Sequence, residues 1–412
     1  MAQSRMEILW LSHNVPYPPI GGVLQRNHNL IKEIASRHNV HLVAFNQKAL
    51  LPTEKQIEDA KAALKEICSQ VKIISIPCDL SKVKWIALVI GSIFSRDSYS
   101  INWLKSRRMH LLIEQVVKAQ HFDVVHYDTI SLAEYFCATG SIPKVLNHHN
   151  IESAMMLRRA KNENNLAKRI YYYLESRKLT DYEKMMCPKF HANLTVSMID
   201  KSNLLKLAPT SRIEVVPNGV DVEFFKPQDN GKAIKNSLVF SGRLDSYPNR
   251  DALRFFIRQI WPIVKHDVPT ARFTIVGKNP PHELGKMCRR EPAITLIGPT
   301  VDVRPYIQSS EAYVCPIRDG GGTRLKLLDA MAMGKAIIST TLAYEGLDAV
   351  AERDLLVADA PEAFAEQIKR VFRNKELRES LGKSARRLVE ENYSWKKIGS
   401  GMCAVYESIN AG

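Results

Sequence analysis

Residues 315–340 read CPIRDGGGTRLKLLDAMAMGKAIIST, and the order of features inside this stretch decides the fold. An apolar run closes at Cys315, and three glycines follow at Gly320, Gly321 and Gly322. A helical pattern then puts Leu325, Leu328 and Ala332 on one face before Gly334 stops it, and 336–339 return to a β-rich apolar run. Strand, glycine loop, helix and strand make one βαβ unit, which belongs to a parallel sheet.

The same alternation extends in both directions. In the first half, strands are expected at 7–11, 40–45, 71–76, 123–127, 144–148, 193–196 and 213–216. In the second half they fall at 238–241, 272–276, 294–297, 312–315, 336–339 and 355–357. Most are continuous apolar runs without strict alternation, as expected of parallel strands covered on both faces. The fold class predicted is α/β, two Rossmann-like doubly wound domains facing across a cleft, with ligands held at the carboxyl ends of the strands. The stretch VVPNGVDVEFFKPQDNGKAIKNS marks the hinge. The expected domains are therefore 1–217 and 218–390, with a C-terminal helix at 391–412 packing back on the first domain.

Composition narrows the classes. A chain of 412 residues suits two domains of about 200 residues each. Seven scattered cysteines without a CxxC pair fit neither a zinc site nor a disulfide framework, and they point to a reducing compartment. The N-terminus MAQSRMEILWLSHN reads as a strand and not as a signal peptide. The longest apolar run, 85–94, is half the roughly 20 residues that span a bilayer. The net charge of +15 favours anionic partners. With no zinc-finger spacing and no aromatic-basic interleave, nucleic acid is not among the expected partners. Between 153 and 186, Arg158, Arg159, Lys161, Lys168 and Arg169 interleave with methionines, leucine, isoleucine and three tyrosines. This reads either as a solvated helical cap or as contact with an anionic membrane.

Several strand ends carry chemistry. HNVPYPPIGGVLQ puts Gly21 and Gly22 at the start of a helix, where bare backbone N–H groups and the positive dipole end can meet an anion. It is not GxGxxG, which removes the main support for a dinucleotide enzyme. In the 315–340 block, Gly320, Gly321, Gly322 and Thr323 form a loop able to approach a pyrophosphate, with charge from Arg318, Arg324 and Lys326. Asp329, deeper in the helix, is placed either for a ribose diol or for a surface pair with Lys326. SGRLD sets Gly242 and Arg243 just past a strand, where the guanidinium suits phosphate oxygens or a structural salt bridge. VLNHHNIES brings His148 and His149 to another strand end, where an imidazole can orient a phosphate or a hydroxyl.

Taken in order, HNVPYPPIGG, HHN, IEVVPNGVD, SGRLD and GGGTRLKLLDAMAMGKAIIST resemble the GT-B-fold retaining glycosyltransferases of family 4. The resemblance implies transfer of a sugar from a UDP- or GDP-linked donor to a glycan or lipid-linked acceptor, in cell-surface polysaccharide or glycolipid synthesis. It implies no cofactor and no metal, and a cytoplasmic enzyme with room for peripheral contact at the inner membrane face. Gly21 and Gly22 would lie near the donor phosphate or transferred sugar, His149 would match the cleft histidine, Arg243 the diphosphate-binding arginine and Asp329 the ribose acid. Two departures stand out. The family's paired glutamates lie eight positions apart, and here they fall on Gly321 and Asp329, leaving either Asp319, the neighbouring acid and with His149 the candidate catalytic pair, or backbone N–H groups to take the missing carboxylate's place. The lysine that usually follows the arginine is also missing. Pro248 and Asn249 stand in its place, with Lys326, Arg318 or Arg324 to supply the charge. A nucleotide-sugar epimerase or hydrolase, and a non-catalytic GT-B-like binding protein, are the alternatives.

Overall fold

A computed structural model describes residues 5–228, 233–319 and 324–410. It divides into two compact units, Met1–Pro217 with Ile398–Gly412, and Asn218–Lys397. The chain re-enters the first unit at Ile398, seven residues later than the sequence boundary at 391.

In the first unit seven strands run β1 Glu7–Ser12, β2 Asn39–Asn46, β3 Gln70–Ser75, β4 Val124–Tyr127, β5 Lys144–His148, β6 Ala192–Thr195 and β7 Ile213–Val215. They form one parallel sheet in the order β3-β2-β1-β4-β5-β6-β7. The chain winds outward from β1 to β3, then comes back to β4 on the other side of β1. That reversal opens a crevice at the carboxyl ends of β1 and β4. The unbroken apolar run Ile8–Leu11 is fully buried, because helices cover both sides of a parallel sheet. Leu9, Leu11, Val43, Phe45, Val125 and Leu146 pack into one core. From the helix Trp395–Asn410, Tyr406 meets His126, its hydroxyl 2.9 Å from Nδ1, while Trp10 stacks on the same ring.

The second unit repeats the plan with β8 Ile234–Ser241, β9 Arg272–Val276, β10 Ile294–Ile297, β11 Ser310–Cys315, β12 Ala336–Ser339 and β13 Leu356–Val357. The order is β10-β9-β8-β11-β12-β13, all parallel, so the reversal falls between β8 and β11. Each expected strand is present among the described residues, with ends that coincide or differ by at most two positions. The exception is β8, which starts four residues early at Ile234. Its first residues are exposed and reach their partner through a bulge at Ser310/Ala312, so no buried apolar pattern marks them.

Two loops meet closely at the end of this sheet. A Cβ on Gly277, just after β9, would lie 1.7 Å from the carbonyl oxygen of Gly242, just after β8. Gly277→Ala forces these backbones apart and is expected to cost about 1–3 kcal/mol, read as a lower midpoint in urea unfolding. An unchanged midpoint would show that the two loops separate freely.

Candidate functional site

In the first unit, chain reversal brings together residues from three strand ends. His13 follows β1, Asp128 follows β4 and His149 follows β5. The Asp128 carboxylate is fully buried, while His13 and His149 keep 18% and 11% of their side chains exposed. Only the imidazoles can therefore meet a ligand. One carboxylate oxygen accepts from His13 Nδ1 at 2.7 Å, Asn27 Nδ2 at 2.7 Å and Ser12 Oγ at 3.2 Å, and the other from His149 Nε2 at 2.8 Å.

This network sets the tautomers. Asn14 Nδ2 donates to His13 Nε2 at 3.0 Å, so the His13 proton sits on Nδ1, toward Asp128. His149 spends its Nε2 proton on the other oxygen, which leaves Nδ1 with the lone pair. Burial alone would raise the Asp128 carboxyl, but charge and hydrogen bonds from His149 and His13 outweigh it and hold it well below the usual range. Burial lowers the His149 imidazole, partly opposed by Asp128. The resting arrangement is a buried carboxylate between two imidazoles, each with a ring nitrogen turned to one of its oxygens. The three ligand-type groups lie within 4.8 Å of one another, close enough for one divalent ion. At these N···O lengths, however, each ring nitrogen shares a proton with the carboxylate.

Arg26, buried on the helix Gly22–Ala35, donates to the carbonyls of Val216 and Pro217 at 2.7 Å and to Asn147 Oδ1 at 3.3 Å. It ties the start of that helix to the end of the sheet. Gly21 precedes the helix at φ 99°, and a Cβ there would meet nothing within 4 Å. Backbone conformation, and not crowding, is thus what favours glycine at this exposed entry. His148 departs from its neighbour. It is buried against Asn193 and Cys187, and burial lowers it to about 4. Successive residues leaving a strand face opposite ways, so His149 alone of the pair reaches the carboxylate.

In the second unit, the helix Leu325–Ala332 begins beside the ends of β8 and β11. From its first turn, Lys326 Nζ donates to Asn249 Oδ1 at 2.6 Å and lies 4.2 Å from the Phe240 ring centre. A Cβ on Gly242, whose φ is 149°, would come within 2.6 Å of the same ammonium. Burial lowers Lys326 to about 8 and raises Asp329, one turn on, to about 7. Arg243 is mostly exposed and pairs with Asp245 through two hydrogen bonds of 2.7 and 3.1 Å. Arg318 grips Asp251 and lies over the Phe255 ring. Arg324 Nη2 donates to the Asp319 carbonyl at 3.4 Å. Gly320, Gly321, Gly322 and Thr323 lie outside the described residues.

Of the three cations offered for the missing lysine, Lys326 is the one against Asn249, the residue standing in the lysine's place. Arg318 is committed to Asp251. Sequence reasoning passed over His13, Asn27 and Asp128. The available signal was DVVHYDT, an acid directly after a buried strand, where a carboxylate needs partners to be tolerated.

Solved structures share this fold. HepE from Anabaena, in complex with UDP, superposes with a TM-score of 0.69 at 13% identity, covering 98% of this chain and 100% of its own. TarM superposes at 0.71 and 12% identity, covering 98% and 99%. These likenesses show the fold, which is GT-B. Family models match the chain twice, Glycosyltransferase Family 4 over residues 20–224 and Glycosyl transferases group 1 over 235–374. The chain belongs to the family 4, group 1 glycosyltransferases. Curated relatives include an uncharacterized protein of the cps region of Klebsiella pneumoniae, 24% identical over 63% of this chain and 67% of its own length. An uncharacterized glycosyltransferase of Methanocaldococcus jannaschii is 35% identical over 25% of this chain and 27% of its own. Phosphatidyl-myo-inositol mannosyltransferase of Mycobacterium tuberculosis is 25% identical over 56% and 64%. The chain thus spans from about a quarter to two thirds of the lengths of these relatives.

Proposed function

We propose that this glycosyltransferase moves a hexose, with retention of anomeric configuration, from a UDP- or GDP-linked donor to a glycan or lipid-linked acceptor in cell-surface polysaccharide or glycolipid synthesis, working at a membrane surface. The observation that carries the reading is Lys326, a desolvated ammonium at the β8/β11 crevice beside the bare backbone of Gly242. A cation in such a place stabilises the charge that develops on a departing diphosphate. Arg243 adds a guanidinium suited to phosphate oxygens once it loosens from Asp245. Asp329 accepts from the ribose hydroxyls. In this assignment side chains supply the positive charge, and no metal or cofactor is called for. In the first unit, His149 offers Nδ1 to a sugar or acceptor hydroxyl, with Asp128 fixing its tautomer. Gly21 and Gly22 give backbone N–H groups to an anion. Asp319, next to the glycine loop, stands in for the absent glutamate. UDP in the HepE complex and the mannosyltransferase relative support this class of donor.

Calorimetry with UDP- and GDP-linked hexoses over a range of pH tests the proposal. Asp329 accepts ribose hydroxyls as a carboxylate, so affinity rises as pH climbs through about 7. Lys326 serves phosphate as an ammonium, so affinity falls as pH climbs through about 8. The esterified diphosphate of the donor has no ionisation of its own in this window. A narrow maximum between the two values is expected. A flat profile would remove both residues from the donor site, and no binding of any nucleotide sugar would favour the non-catalytic reading.

A further inference from the structure

We infer that the helix Lys82–Phe94 is a membrane-seated element, lying flat in the headgroup layer of an anionic bilayer. This deepens the proposed working place of the enzyme by assigning the surface that touches lipid.

The segment 81–96 reads SKVKWIALVIGSIFSR. Its apolar residues are not spent on the core. Ser92 alone among the helix's described residues is buried. Val83, Ile86, Ile90, Ile93 and Phe94 are all exposed, Val83 by 76% and Phe94 by 85%. At about 100° per residue these five share an arc of roughly 100°, an apolar stripe turned outward. Lys82 and Lys84 stand at one end and Arg96 just past the other, and no acid occurs in the run.

A second exposed stripe lies on a helix bonded to the end of this one. Leu166, Ile170, Tyr173 and Leu174 repeat at helical spacing on the helix Leu166–Met186, with Lys168 and Arg169 exposed between them. The two helices are fastened together. Lys178 Nζ donates to the carbonyls of Ser92 and Ile93 at 2.6 and 3.2 Å, satisfying the end of the first helix. Glu175 accepts the Tyr99 backbone N–H at 2.7 Å, and Trp85 Nε1 donates to the Tyr99 hydroxyl at 3.2 Å.

Charge and length choose the occupant. Lysine and arginine around an apolar stripe, with tryptophan and tyrosine at its side, match a bilayer interface carrying anionic lipid. Interfaces between protein copies are depleted in lysine instead. Thirteen residues give a helix about 20 Å long, short of the ~30 Å hydrocarbon layer. No helix among the described residues is long and apolar enough to cross a membrane. The geometry therefore fits insertion in the plane.

Flotation of the full chain with vesicles tests this, using phosphatidylcholine alone and phosphatidylcholine with phosphatidylglycerol. Binding is expected with phosphatidylglycerol, weakening as salt is added, with a blue shift of Trp85 emission. The Ile90→Glu/Phe94→Glu chain should lose at least about tenfold in vesicle affinity while keeping its nucleotide-sugar affinity in calorimetry, which separates this inference from the donor assignment. Equal vesicle binding by that variant overturns it. So does a self-association in sedimentation equilibrium that the variant abolishes, if the parent chain fails to bind either vesicle, because a second copy would then be the occupant.

Discussion

An Asp128→Asn chain is expected to turn over about 10²–10³-fold more slowly, a loss in the range ascribed to a misdirected general acid or base. The substitution keeps the shape of the side chain and removes the charge. Two imidazole N–H groups now face an amide that can accept with one atom only, and its NH₂ confronts a donor. One ring must change tautomer or turn. If that ring is His149, its lone pair no longer points toward the ligand. Release of nucleoside diphosphate gives the rate, and calorimetry gives the donor affinity, which should move far less because diphosphate and ribose are assigned to the second unit. Equal losses in both would make Asp128 a structural residue.

The same substitution carries a pH signature. Asp128 has a folded pKa below its unfolded one, so its contribution to stability is present above the unfolded value and lost as pH falls through the carboxylate range toward the folded value. The parent chain should lose stability on acidification by an increment that Asp128→Asn lacks. At neutral pH the variant is less stable by about 1–3 kcal/mol, the cost of leaving buried donors unsatisfied.

Lys326→Met should weaken nucleotide-sugar binding about 10–150-fold, corresponding to roughly 1.5–3 kcal/mol for a hydrogen bond to a charged group. Methionine fills the space over Phe240 and carries no charge, so folding is retained. The basic limb of the affinity profile, near pH 8, should vanish with it. Lys326→Arg is not expected to rescue, because the ammonium sits tightly between Asn249 and the Gly242 backbone and a planar guanidinium is wider. Unchanged affinity in Lys326→Met would leave Arg243 as the main phosphate ligand.

The amino-acid sequence by itself determined the two parallel sheets. Unbroken apolar runs such as ILWL and AIIS have to be covered on both faces, and the helices between them supply that cover at short range. It also determined where the glycine turns fall, as at Gly21, Gly242 and Gly334, since backbone with positive φ is a local demand. What only tertiary structure decided was which polar groups meet. His13, Asp128 and His149 are more than twenty residues apart in every pairing, and sheet order alone places β1, β4 and β5 side by side. Lys326 and Asn249 are 77 residues apart, and their contact follows from the reversal between β8 and β11. The exposed face of Lys82–Phe94 was equally hidden. The apolar run is plain in the sequence, but only the fold shows that Val83, Ile90 and Phe94 stay exposed. Local energetics are written in neighbouring residues, whereas a charge and its partner are chosen by where the sheet turns back.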